Sequence, residues 1–166
     1  FTPGSMTNST EAAFTGQWRH PMTKGTRTQQ MAMTVVYESG ILSLCESPKI
    51  YEVLPEFDFI KKVPAAWDST LVLDGKIGEY IIIARKKDNN WFIGAMTDQN
   101  SRDIVIDLSF LENFNYDADI YSDAGDADTN PSHVSITKRK VNSADKLQFR
   151  LAKGGGLAIF IKKING

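Results

Sequence analysis

A single cysteine, Cys45, excludes an internal disulfide and any cysteine-based metal cage. Its setting, Leu44-Cys45-Glu46, reads as a small buried hydrophobe and not as a nucleophile. The two histidines, His20 and His133, lie far apart in the chain, which argues against a His-rich zinc site. Apolar runs extend only a few residues, short of the ~20 a helix needs to cross a bilayer, so no membrane span is expected. Neither sign of charge dominates: 19 Lys and Arg face 20 Asp and Glu, for a formal net charge of −1. There is no basic stripe for nucleic acid and no acidic tail for a basic partner. The first residues, Phe1-Thr2-Pro3-Gly4, show neither a start methionine nor the basic stretch and apolar core of a signal peptide. The sequence is therefore expected to continue a longer polypeptide.

What is present falls into two halves with different periods. Residues 1–25 are rich in Thr, Ser, Gly, Pro and Met and read as loop. A helix is expected from Thr26 and Arg27 through residue 47, on the good helix formers Gln29 to Met33 and the spacing of Ala32, Val35, Val36 and Ser39. Val35, Val36 and Tyr37 also suit a strand. A second helix is expected over Tyr51–Lys62, stopped by Pro64. From Trp67 onward the period becomes two. Strands are expected at Thr70–Leu73, Glu79–Lys86, Trp91–Thr97, Asp103–Leu108, Ala118–Ser122, Val134–Lys138, Leu147–Leu151 and Leu157–Lys162. Between them stand turn signals such as Asp74-Gly75, Asp88-Asn89-Asn90 and Gly154-Gly155-Gly156. Short strands at this spacing predict a mainly β chain: an antiparallel β-sandwich over 67–166, preceded by a partly helical segment over 1–65.

The strands are of two kinds. Leu147, Phe149 and Leu151 alternate with Gln148 and Arg150, and Val134 and Ile136 with Ser135 and Thr137. Such strands place one face on a core and the other in water. Tyr80–Ala84, Trp91–Met96 and Leu157–Ile161 are apolar on both faces. If these share a sheet, something must cover its outer face. The helical segment, an upstream domain or a second subunit would each serve.

Sharper chemical readings are available and are mostly outweighed. Asp123, Asp126, Asp128 and Asn130 could suggest calcium, but Gly125 is misplaced for an EF-hand and no late acid follows, so a turn is favoured. The triple glycine 154–156 precedes a strand and not a helix, which favours a turn or a close backbone approach over phosphate binding. Trp67 and Trp91 read as interface and core; only Trp18 has a fair chance of facing a sugar. Glu38, Glu46, Glu52 and Glu56 offer no assignable carboxylate pair. No residue is assigned a catalytic, cofactor-binding or metal role.

Several pieces occur in a fixed order: Gly25-Thr26-Arg27, Met31-Ala32-Met33, Val35-Val36-Tyr37-Glu38-Ser39, Asp74-Gly75-Lys76-Ile77-Gly78-Glu79-Tyr80, Ala84-Arg85, Gly94-Ala95-Met96-Thr97, Leu108-Ser109-Phe110-Leu111, Asp126-Ala127-Asp128, Asn130-Pro131 and Gly154-Gly155-Gly156. Over nearly the whole chain this resembles the C-terminal region of glycoside hydrolase family 97. The resemblance implies that residues 1–65 are the end of a catalytic (β/α)8 barrel, with 26–47 its last helix. It implies that 67–166 is a C-terminal β-domain of the oligomerisation and packing type. Phe1, Thr2 and Pro3 would lie near the end of the barrel's last strand and, with Trp18, at the edge of a cleft. The parent would be a periplasmic exo-α-glucosidase or α-galactosidase whose barrel binds calcium through glutamates. Its catalytic carboxylates would lie upstream of Phe1, leaving this chain inactive alone. Expected partners are the missing N-terminal and barrel domains, further copies of the chain, and carbohydrate for the parent. Gln29 stands where the family commonly has His, and Gly40 where it commonly has Pro. The other reading is an autonomous carbohydrate-binding β-sandwich. A lone βα unit cannot close a barrel, so 1–63 is expected to be loosely held or rearranged.

Overall fold

The computed structural model describes residues 1–16, 18 and 21–164. Eight strands follow Trp67: β3 (Ser69–Lys76), β4 (Tyr80–Lys87), β5 (Asn90–Thr97), β6 (Arg102–Asp107), β7 (Tyr116–Asp123), β8 (Val134–Val141), β9 (Lys146–Leu151) and β10 (Gly156–Lys163). Two further strands, β1 (Asn8–Ser9) and β2 (Thr23–Lys24), pair in parallel within the segment expected to be loop. Three helices lie between: α1 (Arg27–Val36), α2 (Pro48–Glu52) and α3 (Phe57–Ile60).

Six strands form one antiparallel sheet in the order β3-β4-β5-β10-β7-β8, and β6 pairs with β9 in a second. The chain crosses to the small sheet twice, at β6 and at β9, and β10 returns to fill the centre of the large one. The period-two pattern is what drives this. Ile82, Ala84, Trp91, Ile93, Ala95, Ala118, Ile120, Leu157, Ile159 and Ile161 share the inner face with Ile104, Ile106, Leu147 and Leu151 of the small sheet. At the centre Ile159 stands between Ile93 and Ile120. Burial of each such side chain is worth about 1.5–3 kcal/mol.

The outer face is covered by the helical segment, the first of the three possibilities. Phe92, Tyr121 and Ala158 pack there with Met31, Val35, Tyr51, Phe59, Ile60 and Met6. The looseness expected of an orphaned βα unit is offset because the sheet supplies the second layer.

The helices are shorter than expected. The run 26–47 stops at Val36, and Tyr37 is extended at φ −86°, ψ 125°. Beyond it Ile41 and Leu44 are exposed, so no apolar stripe continues. Cys45, expected inside, is exposed. The second run divides at Leu54-Pro55, since a residue before proline avoids helical backbone. The break expected at Asp74-Gly75 is instead a bulge inside β3 after Val72; the chain reverses at Gly78, whose φ is 80°.

Candidate functional site

The outer face of the large sheet is the most constructed surface of the molecule. Cross-strand pairing sets its residues in rows: Ile81, Met96, Gly156, Asp123 and Val134; then Val72, Ile83, Gly94, Ala158, Tyr121 and Ile136; then Thr70, Arg85, Phe92, Phe160, Asp119 and Lys138. Two glycines make a flat floor for α1. A Cβ on Gly94 would fall 2.9 Å from the Ala32 carbonyl oxygen, and one on Gly156 would fall 2.6 Å from the Gln29 Cα. The helix backbone therefore rests directly on strand backbone.

Both ends of α1 are held by the sheet domain. At the start, the Thr26 hydroxyl accepts from the Gln29 amide at 3.1 Å, an N-cap that satisfies one free donor. The Thr26 amide donates to the Gly154 carbonyl at 2.9 Å and the Arg27 amide to that of Pro131 at 2.8 Å. The approach is close enough that a Cβ on Gly154, at φ 58°, would lie 3.2 Å from the Gly25 Cα. Gln29, the departure from histidine, donates from its amide to the Thr97 carbonyl at 3.1 Å and keeps the helix tied to β5. Gly40, the departure from proline, lies beyond the helix with open space around it. At the far end the Arg85 guanidinium, in a buried residue, donates to the Val35 carbonyl at 2.7 Å, the Val36 carbonyl at 3.2 Å and the Thr70 hydroxyl at 3.1 Å. A helix leaves its last carbonyls without intrahelical donors and carries partial negative charge there, so a fixed cation suits both needs. A buried ion pair, Arg27 to Glu56 at 3.1 Å, joins α1 to the start of α3.

Asp123 ties this arrangement to the triple-glycine turn. Its Oδ2 accepts from the Ala152 amide at 2.8 Å and the Gly156 amide at 3.0 Å, and a Cβ on Gly155 would collide with that oxygen. Burial pushes its carboxyl above the ordinary value, opposed by the hydroxyls of Thr26 and Thr28 and by the two amides. The folded state thus holds this proton to a higher pH than the unfolded chain. The contribution is full below about pH 4 and is lost as pH rises through the raised value. Asn in place of Asp keeps an acceptor for both amides and removes the slope. Thermal melts of Asp123→Asn should gain on wild type as pH is raised from about 4 towards neutrality. A constant difference across that range would mean that Asp123 does not titrate there. Exposed carboxylates act oppositely. Bonds from Lys146 and Ser109 hold Asp107 at about 2, so its contribution is present above about pH 4 and is lost as pH falls.

The residues singled out in the sequence do not converge on one chemical centre. Phe1 is partly exposed with its ring edge-on to Tyr37, Thr2 is exposed and Pro3 is buried. Trp18 is fully exposed. Trp91 lies in the sandwich core against Phe110, and Trp67 packs on Phe92 at 5.2 Å. In the acidic loop Asp126 meets His133 at 2.7 Å, Asp128 accepts from Arg150 and the Lys153 amide, and Asp123 faces inward. These commitments fit a turn and not a calcium cage; among the described residues no three acidic, His or Cys side chains are placed to hold a metal. Glu46 takes bonds from Ser5 and Thr7, Glu56 pairs with Arg27, Glu38 stands 3.7 Å from Arg85, and Glu52 is exposed. The glycine floor and Arg85 were not singled out as a site. The available signal was a cation, Arg85, at the end of the apolar run Tyr80–Ala84, followed by Lys86 and Lys87.

Comparison with known proteins accords with this picture. A family model described as "Glycosyl-hydrolase 97 C-terminal, oligomerisation" matches residues 66–162. The chain belongs to this family. A retaining alpha-galactosidase of Bacteroides thetaiotaomicron is 39% identical over 163 residues, 98% of this chain and 25% of its own length. A probable retaining alpha-galactosidase of Streptomyces bingchenggensis is 41% identical over 67 residues, 40% of this chain and 11% of its own. A solved glycoside hydrolase family 97 enzyme of Pseudoalteromonas sp., in complex with panose, superposes with a TM-score of 0.81 at 38% identity, covering 85% of this chain and 23% of that one. The family 97 C-terminal chain thus spans about a quarter of the length of its Bacteroides relative.

Proposed function

We propose that this chain is the non-catalytic C-terminal part of a larger exo-acting α-glycosidase, and that its work is to support the catalytic barrel and join subunits. The observation that carries this reading is the closure of the sheet's outer face by α1, α2 and α3. A binding module would offer exposed, coplanar aromatics on that face; instead Phe92, Tyr121 and Phe160 lie under the helices and Lys62. In this reading α1 is the last helix of the barrel, glued to the β-domain by the glycine floor, Asp123 and Arg85. Residues 1–65 belong to the barrel's end, and Phe1, Thr2, Pro3 and Trp18 border its cleft.

The parent enzyme would cleave terminal α-galactosyl or α-glucosyl residues. The name of the Bacteroides relative favours the first, and the panose complex of the Pseudoalteromonas relative keeps the second in view. Calcium would be held by barrel glutamates outside this chain, and the enzyme would work in the periplasm. The purified chain should show no turnover of nitrophenyl α-galactoside or α-glucoside at any concentration. Activity that copurifies with the chain and survives repeated chromatography would sink the non-catalytic reading. Light scattering across a concentration series should show a dimer at low micromolar concentration, and a monomer throughout would remove the subunit-joining role.

A further inference from the structure

The helical layer leaves one corner of the large sheet's outer face open. α3 ends at Ile60, and the last cover is Lys62, whose ammonium lies 4.7 Å above the partly buried Phe160 ring. Beyond it the pairing of β5, β10, β7 and β8 sets Asn90, Lys162, Asp117 and Lys140 in one row. Neighbouring strands stand ~4.7–4.9 Å apart, so the row runs roughly 14 Å. A cleft of about 820 Å³ lies over this row and over Phe160, Asp119 and Lys138. That volume falls within the ~300–1,000 Å³ common for ligand sites. The chain as a whole carries a formal net charge of −1, yet here Lys62, Lys138, Lys140 and Lys162 meet only Asp117 and Asp119. Arg139 turns aside to Asp145 at 4.0 Å. Asp119 is shared between Lys62 at 2.8 Å and Lys138 at 3.4 Å. Asp117 stands between Lys162 and Lys140 in the register, but none of these three forms an ion pair among the described residues.

We infer that this open corner binds an acidic carbohydrate, a short oligosaccharide that carries carboxylates. The lining selects that chemistry. The free ammonium groups of Lys140 and Lys162 only donate and call for an anion, whereas the free carboxylate of Asp117 only accepts and calls for hydroxyl donors. A sugar acid brings both. Inorganic phosphate offers chiefly acceptors and would set like charge against Asp117. A neutral sugar would satisfy Asp117 and Asn90 and leave the positive field of the two lysines without a counter-charge. Asn90 both donates and accepts, which suits a sugar hydroxyl. The Phe160 ring, half open at the floor, offers an apolar surface to the C–H face of a sugar ring. One ring and a polar row are a different device from a platform of coplanar aromatics, so the covered outer face and this corner coexist. The inference concerns binding by this chain alone and does not depend on the activity of the parent.

Titration of the whole chain with tetragalacturonate, followed by amide chemical shifts, tests this. Saturable shifts should appear in β7, β8 and β10 around the row, and binding should weaken at least ten-fold between ~20 mM and ~500 mM salt. The double variant Lys140→Gln, Lys162→Gln should lose at least ten-fold in affinity with an unchanged circular-dichroism spectrum, while Lys146→Gln on the small sheet should lose nothing. Asp117→Ala decides between sugar and bare charge. It raises the positive charge of the cleft, so a site that reads charge alone would bind more tightly, whereas a site that uses the carboxylate for hydroxyls should bind several-fold more weakly. Tighter binding by Asp117→Ala overturns the proposal. Equal affinity for tetraglutamate or for inorganic phosphate overturns it too, since charge would then suffice. Equal affinity for a neutral galactotetraose removes the acidic group from the ligand, and an absence of shifts up to ~10 mM tetragalacturonate, a concentration at which even a millimolar site fills, removes the site.

Discussion

Arg85→Ala is expected to lower the stability of this chain by about 2–6 kcal/mol, since two helix carbonyls lose their donors at roughly 1–3 kcal/mol each. Both acceptors, on Val35 and Val36, sit in buried residues at the end of α1. Water cannot readily replace the guanidinium there, because Trp67 lies over it at 5.7 Å. Comparison with two other variants separates charge from packing. Arg85→Met keeps most of the stem's apolar contact and supplies no donor, so it should lose nearly as much as alanine. Arg85→Lys keeps the cation but not the planar fork, so it should recover only part. Urea denaturation of the three variants decides the matter. A methionine variant as stable as wild type would show that the side chain fills space and does not cap a helix.

The strands were legible because their pattern is local. All eight expected from alternation and turn residues are found, and the strands apolar on both faces do lie in one sheet with its outer face covered. β8 was read too short, to Lys138 and not Val141, because an edge strand faces water and its Lys and Arg residues carry no period. Helix ends were misread for the opposite reason. α1 stops where the sheet stops supporting it and where Arg85, 49 residues beyond the last helical residue, takes its carbonyls. No window around Val36 contains that information. The same holds for Asp123, which reads as one acid of a turn and serves as the inward anchor between the glycine run and the first turn of α1. The glycines of the floor illustrate the limit well. Gly156 was read as a turn or close approach, and a close approach it is. Gly94 lies mid-strand with nothing nearby in sequence to say that a helix crosses it.

That crossing gives the second large expectation. A β-branched side chain at Gly94 should detach α1 from the sheet. A Cβ there would already lie 2.9 Å from the Ala32 carbonyl oxygen, 3.0 Å from the Val35 Cβ and 3.1 Å from the Val36 Cγ2. The first of these is helix backbone and cannot rotate away. Gly94→Ala should therefore cost about 1–3 kcal/mol, the usual range for overpacking. Gly94→Val adds two methyl groups in the same gap, so the helix must rise. Lifting it uncovers Met31 and Val35 together with Phe92 and Ala158 beneath them. The result should be more than a lower melting temperature: the outer face would open, bind a hydrophobic dye such as anilinonaphthalene sulfonate, and drive aggregation. The sandwich core lies on the other side of the sheet and should survive, so far-ultraviolet circular dichroism should keep its β signature. Gly40→Ala is the matched control, since nothing lies within 4 Å of its Cβ position, and it should change stability by less than about 0.5 kcal/mol. If Gly94→Val melts like wild type without dye binding, α1 does not rest on the strand as described. The joint between helix and β-domain would then lie in the ends of α1, held by Gly154, Pro131, Thr97, Asp123 and Arg85.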